Sequence, residues 1–442
     1  FDPVIMEDLQ KENKLITEYR KLTASAKIEF EGQTRNLSQM APFAQSTNRE
    51  TRKAASFAVS KFFADHQDDL DRIFDELVSV RTQMAKKLGY DSYVKLGYDR
   101  LGRLDYGPEE VENYRNQVYK DLVPVVNDLT ARKEKRLGIE AIKSYDLNLE
   151  FLSGNPTPKG NKDWMVDKAV KMYSEMSEET KAFITFMTER ELLDLEAKTG
   201  KAGGGYCTYL PNFASPFIFS NFNGTAGDVD VLTHEAGHAF QVFSSRGFQV
   251  PEYLWPTYEA CEIHSMSMEF FAWPWIHLFF EQDTDKYKFS HLSKAIAFIP
   301  YGVAVDEFQH RMYEQPDMTP KMRRATWRDL EKKYLPFKVY DDDDFLENGG
   351  FWFRQSHIFG TPFYYIDYTL AQVCAFQYWI RAREDHSKAW DSYLKLCQTG
   401  GSKSFVALLD VANLDNPFVD GTIKTVVEPL SEYLDSIDDA AF

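Results

Sequence analysis

At Leu232-Thr233-His234-Glu235-Ala236-Gly237-His238-Ala239-Phe240-Gln241-Val242-Phe243 the chain carries two histidines four residues apart, with a glutamate beside the first. On an α-helix, positions i and i+4 lie about 40° apart around the axis, so both imidazoles can reach one metal ion. Glu235 then stands where a side chain can hold and deprotonate a water polarised by that metal, which is the chemistry of the His-Glu-x-x-His pattern. At about 100° per residue, Leu232, Ala236, Ala239 and Phe243 fall on the opposite side. The helix is therefore expected to bury that face and turn its histidines toward a cleft. Asp228 or Thr225 offers an N-cap a turn or two upstream.

A catalytic zinc takes three protein ligands and keeps one position open. The segment that follows is acidic, with Glu252, Glu259, Glu262 and Glu269, and His264 nearby. Glu262 and Glu269 share a helical face, from which His264 points away. Periodicity leaves Glu259, Glu262 and Glu269 all open as the third ligand, with another of them free to orient a ligand histidine. Further on, His357 precedes Pro362-Phe363-Tyr364-Tyr365-Ile366-Asp367-Tyr368. Tyrosine hydroxyls and an imidazole N–H are the neutral donors that can hold an oxyanion while water attacks a carbonyl.

Working outward, most of the chain reads as helix: from Phe1 to about Lys27, Asn48 to Leu88, Pro108 to Lys135, Lys162 to Tyr173 and Glu178 to Lys198, the last stopping at Gly200. A small hairpin is expected around Ile28, Phe30 and Gly32. Between Gly200 and Asp230 the composition turns to Gly, Asn and aromatics, which predicts short strands just ahead of the His234 helix. The Asp341–Asp344 run does not fit a calcium loop, because Leu346 stands where the sharp turn needs Gly. The fold class expected is mainly α, with a small β-sheet ahead of the metal-binding helix. Residues 1–199 would form a helical lobe and 200–442 the catalytic region.

The 442 residues carry 51 Lys and Arg against 68 Asp and Glu, a net charge of −17, which argues against a nucleic-acid partner. No apolar run approaches the ~18 residues of a membrane span. Four cysteines, Cys207, Cys261, Cys374 and Cys397, form no metal-knuckle or disulfide framework and favour a reducing compartment. No signal peptide is visible at Phe1 to Gln10, and the expected location is the cytoplasm.

The blocks His234-Glu235-Ala236-Gly237-His238-Ala239-Phe240, Glu262-Ile263-His264-Ser265-Met266-Ser267-Met268-Glu269-Phe270, and His357 with Pro362 to Tyr368, in this order and at these separations, resemble the oligoendopeptidase F and thimet oligopeptidase family of zinc metallopeptidases. The resemblance covers the chain from Gly200 onward, including the lead-in with Pro216-Phe217 and Asn221-Phe222. It implies a two-lobed helical body with a deep channel that admits short peptides. It implies His234, His238 and Glu262 as ligands of one zinc ion and Glu235 as general base. His357 and the tyrosines would bind substrate and stabilise the oxyanion. Their spacing departs from the family's by about a residue; Tyr365 and Tyr368 are preferred for catalysis, Tyr364 and Phe217 for substrate contact. Family members carry more helical chain upstream, so an N-terminal truncation is expected.

The expected activity is therefore zinc-dependent cleavage of internal bonds in oligopeptides. One rival is a zinc carboxypeptidase, which would need a cation such as Arg354 for the free carboxylate. The other is a peptide-binding protein with a structural metal, whose shell would be closed by a fourth protein ligand.

Overall fold

A computed structural model describes residues 2–198, 201 and 203–442. It is mainly helical, with a two-stranded hairpin and a three-stranded sheet. The chain divides into two compact units, Phe1–Gly154 with Ala297–Thr369, and Asn155–Ile296 with Leu370–Phe442. Each unit thus draws on both sides of residue 200.

In the first unit, the helix Met6–Ala24 packs along Gln67–Lys87. Their register is pinned by Arg81, fully buried, whose Nε donates to Glu12 at 2.6 Å. The hairpin joins β1 (Ile28–Phe30) and β2 (Gln33–Arg35), antiparallel with Ile28 opposite Arg35. The pattern expected as one helix over 48–88 is two, Arg49–Asp65 and Gln67–Lys87, broken at His66. The helix expected from Pro108 contains a π-turn at Val118–Leu122, just before Pro124, which cannot donate the regular hydrogen bond.

The second unit is built on β3 (Leu193–Glu196), β4 (Tyr206–Leu210) and β5 (Ser215–Phe222). β5 is central, parallel to β3 and antiparallel to β4. β3 corrects the expected helix from Glu178 to Lys198: that helix ends at Glu189, and its expected stop at Gly200 lies outside the described residues. Glu191 turns the chain with φ 53°, and Leu192 O then accepts from Ile218 N at 3.0 Å. Leu193-Asp194-Leu195-Glu196 alternates with a period of two, as a half-buried strand does, and Leu195 is its buried member.

From β5 the chain enters the helix Gly227–Ser245, whose Leu232, Ala236, Ala239 and Phe243 are buried as the pattern requires. Burying a Leu or Phe side chain contributes about 1.5–3 kcal/mol, so this face holds the helix on its unit. The expected cap is corrected. The N-cap position is Ala226 without a side-chain bond, and the Asp228 carboxylate instead accepts from Asn223 N and Gly224 N at 2.8 and 2.7 Å. That bond ties the turn after β5 to the first turn of the helix.

Candidate metal centre

Two helices of the second unit approach each other closely. Gly237, inside the histidine pattern, faces Tyr258–Phe271; a Cβ there would lie 2.5 Å from His264 O and 2.6 Å from Ser265 Cα. No side chain fits that gap. The approach carries Glu262 to the histidine face: its Oε2 stands 3.2 Å from His234 Nε2 and 3.3 Å from His238 Nε2. Among the described residues, these three side chains form the one cluster whose ligand atoms lie within 4.8 Å of one another.

Around the cluster the donors are themselves held. His234 Nδ1 lies 2.8 Å from Glu269 Oε1, so its Nε2 faces Glu262. Glu269 Oε2 in turn lies 2.8 Å from His291 Nε2, and Trp273 Nε1 donates to His291 Nδ1 at 3.3 Å. Ser265 Oγ donates to Glu262 Oε2 at 2.9 Å. His264 is buried apart from the cluster, its Nδ1 on Ala260 O, and burial pushes its pKa down to about 4. Glu259 is also buried on this helix but outside the cluster, and Glu252 lies in the 3₁₀ turn Pro251–Tyr253.

Charge at the cluster is strongly perturbed. Burial acts against a charged His234, but hydrogen bonds to Glu262 and Glu269 outweigh it and hold its pKa well above the usual histidine range. Burial raises Glu262 while the two imidazoles pull it the other way, well below the usual carboxylate range. Glu235 is raised, by burial above all, and its Oε2 is buried without a hydrogen-bond partner. A divalent cation suits this set. Two imidazoles and a carboxylate are zinc donors, and separations of 3.2 and 3.3 Å match the edge of about 3.3 Å of a tetrahedron with ~2.0–2.1 Å bonds. The orphaned Glu235 oxygen beside His234 and His238 leaves an acceptor for a water.

The first unit holds a second constellation. His357 is ringed by Tyr365, Tyr364 and Tyr368, with ring centroids at 5.0, 5.6 and 5.6 Å. Tyr368 Oη lies 3.4 Å from His357 Nε2. The tyrosines are set by a strained residue before them. Phe363 is fully buried with φ 67°, a conformation costly for a bulky side chain. Its N–H donates to Gln309 Oε1 at 3.0 Å and its O accepts from Arg103 Nη2 at 2.6 Å. The same Arg103 nitrogen donates to Asp367 Oδ1 at 2.6 Å, in the first turn of the tyrosine helix Tyr365–Glu384. Gln355 Nε2 stands 2.7 Å from His357 Nδ1.

Two further expected residues sit elsewhere. Phe217 is half-buried on β5, opposite Thr208 of β4. Arg354 lies over the Phe351 ring at 4.6 Å, with Phe63 at 5.5 Å. Sequence reasoning missed Glu269's link to His291, and it missed Gln355 and Tyr301. His291 lies 22 residues beyond Glu269 on another helix, and no local spacing marks such a pair.

The family model for Peptidase family M3 matches residues 43–428. The chain belongs to that family. It is 57% identical to a solved structure described as PZ peptidase A with an inhibitor, with a TM-score of 0.98 over all of this chain and 78% of that one. It is 26% identical over 321 residues to an oligoendopeptidase F homologue of Borreliella burgdorferi, covering 69% of this chain and 53% of that protein. Against the chromosomal oligoendopeptidase F of Lactococcus lactis subsp. cremoris it is 25% identical over 201 residues, 44% of this chain and 31% of that protein. The chain thus spans about half, or less, of the curated relatives it matches. Among the described residues, no helix is long and apolar enough to cross a membrane.

Proposed function

We propose that this M3-family chain is a zinc-dependent endopeptidase that cleaves internal bonds of short oligopeptides in the cytoplasm. The observation that carries the reading is the convergence of His234, His238 and Glu262 beside a buried carboxylate, Glu235, that has an oxygen to spare. One zinc ion held by those three would polarise the scissile carbonyl and make water acidic enough to lose a proton near neutral pH.

The remaining work falls to the chain. Glu235, its pKa raised by burial, takes the proton of the attacking water and passes it to the leaving amine. Glu269 keeps His234 from rotating away from its task. His357, Tyr365 and Tyr368 give hydrogen bonds to the substrate carbonyl oxygen that strengthen as it becomes an oxyanion, with Tyr364 and Phe217 as substrate contacts. No covalent intermediate is needed. Against a closed structural metal stands the placement of His264, the imidazole that would have to supply a fourth ligand: it lies outside the cluster, with its Nδ1 on Ala260 O.

Glu235→Gln is the test. The variant should bind zinc as the parent does and lose turnover by at least about 100-fold, the usual worth of a positioned base. Full activity in the variant would overturn the assignment of the base.

A further inference from the structure

Tyr301, Gln355, His357 and Tyr368 form a connected chain in the first unit. The Tyr301 hydroxyl donates to Gln355 Oε1 at 2.7 Å; Gln355 Nε2 meets His357 Nδ1 at 2.7 Å; His357 Nε2 meets Tyr368 Oη at 3.4 Å. Direction can be read along it, because an amide nitrogen only donates and its carbonyl only accepts. With Oε1 committed to the Tyr301 hydroxyl, Nε2 faces the imidazole, and Nδ1 must be the accepting nitrogen. Turning the amide over would face Nε2 toward Tyr301 and leave the phenol hydrogen without the acceptor it has here. Burial holds the Tyr301 phenol well above its ordinary pKa, so it stays a donor.

The anchors of this chain are rigid. Gln355 sits at the junction of the turn Gly350–Arg354 and the helix Ser356–Gly360, its N–H bonded to Trp352 O at 2.9 Å. The Tyr301 ring is packed edge-on against Tyr365, Phe351 and Trp327, at 5.7, 6.0 and 6.2 Å.

We infer that Tyr301 and Gln355 are positioning residues that fix His357 as its Nε2–H tautomer, so that every hydrogen bond in the chain points from Tyr301 toward Tyr368. The tautomer decides what Tyr368 can do. With the ring proton on Nε2, the Tyr368 oxygen accepts from His357, so its hydroxyl hydrogen is not spent on the imidazole, which is the state required for donation to the carbonyl oxygen of a bound peptide. With the ring proton on Nδ1, Tyr368 would have to donate back into the imidazole and would be lost as a donor. Donors linked in series also polarise one another, which strengthens the terminal one. The use made of Tyr368 rests on the peptidase reading above; the tautomer does not.

The test is nuclear magnetic resonance on the full chain, deuterated and labelled with ¹⁵N-histidine, in which His357 is identified by the signal lost in His357→Gln. Its ring should show a protonated Nε2 and an unprotonated, hydrogen-bonded Nδ1. In Gln355→Glu the carboxylate accepts where the amide donated, and the protonated signal should move to Nδ1 or appear on both nitrogens. Tyr301→Phe frees the amide to turn and should give a mixture of the two tautomers. A parent ring already protonated at Nδ1, or an unaltered His357 signal in a folded Gln355→Glu, overturns the inference. In the kinetic arm, Gln355→Glu should lower kcat about tenfold with KM changed less than about twofold. If the parent cuts no peptide, the peptidase reading fails while the resonance arm still decides the tautomer.

Discussion

Replacing Gly237 with alanine separates the two helices that bring His234, His238 and Glu262 together. The new Cβ would lie 2.5 Å from His264 O and 2.6 Å from Ser265 Cα, where ordinary contact begins at 3.4 Å. Both obstacles are backbone, so no rotamer relieves them, and the helices must part by about 0.8–0.9 Å to restore contact. Glu262 sits two and three residues before those atoms and moves with them. Metal coordination tolerates about 0.2 Å, so the displacement is roughly fourfold too large. Overpacking of this kind costs about 1–3 kcal/mol, offset by about 0.5–1 kcal/mol from removing a helical glycine. A net loss of up to about 2.5 kcal/mol in the metal-free protein follows, together with weakening of zinc by at least about tenfold, or ~1.4 kcal/mol. Competition against a chromophoric chelator measures the second quantity and thermal unfolding in excess chelator the first. A folded Gly237→Ala protein that binds zinc within about twofold of the parent would refute the claim that helix spacing sets the site.

Other outcomes follow from the same geometry. Glu269→Gln weakens the acceptor that orients His234, and His291→Phe frees Glu269; each should reduce zinc affinity by about 10–100-fold in the same competition assay. Glu307 accepts from Lys333, Tyr334 and Arg311. Burial opposes its charge, but these donors, Lys333 foremost, hold its pKa down at about 2. A depressed carboxylate stabilises the fold above its unfolded pKa near 4.5, and that stability is lost as pH falls toward about 2. The thermal midpoint of the parent should therefore drop over that interval. Glu307→Gln should start lower at neutral pH and converge with the parent at the acid end.

The parts of this protein that are readable from its sequence are those encoded locally. Two histidines four residues apart share a helical face wherever that helix sits, and the Gly- and aromatic-rich run before them favours short strands, which form at Tyr206–Leu210 and Ser215–Phe222. Glu259, Glu262 and Glu269 all lie on one helix, so their spacing could not say which would face the histidines. Resemblance pointed to Glu262, and the approach at Gly237 is the physical reason that residue sits nearest. The strand Leu193–Glu196 reads as helix in the sequence because Glu191's left-handed turn lies inside a helix-favouring composition. His291 and Tyr301 stayed hidden for a different reason. Each is a lone side chain on the long helix Thr284–Glu314, and its partner comes from a distant segment. Only tertiary packing reveals such links.

The most direct test is to incubate the chain with peptides blocked at both ends and to identify the products by mass spectrometry, before and after chelation and on adding zinc back. Internal cleavage that stops with the chelator and returns with zinc is the predicted result. Cleavage indifferent to chelation, or blocked peptides left whole while free-ended ones lose single C-terminal residues, would contradict a zinc endopeptidase.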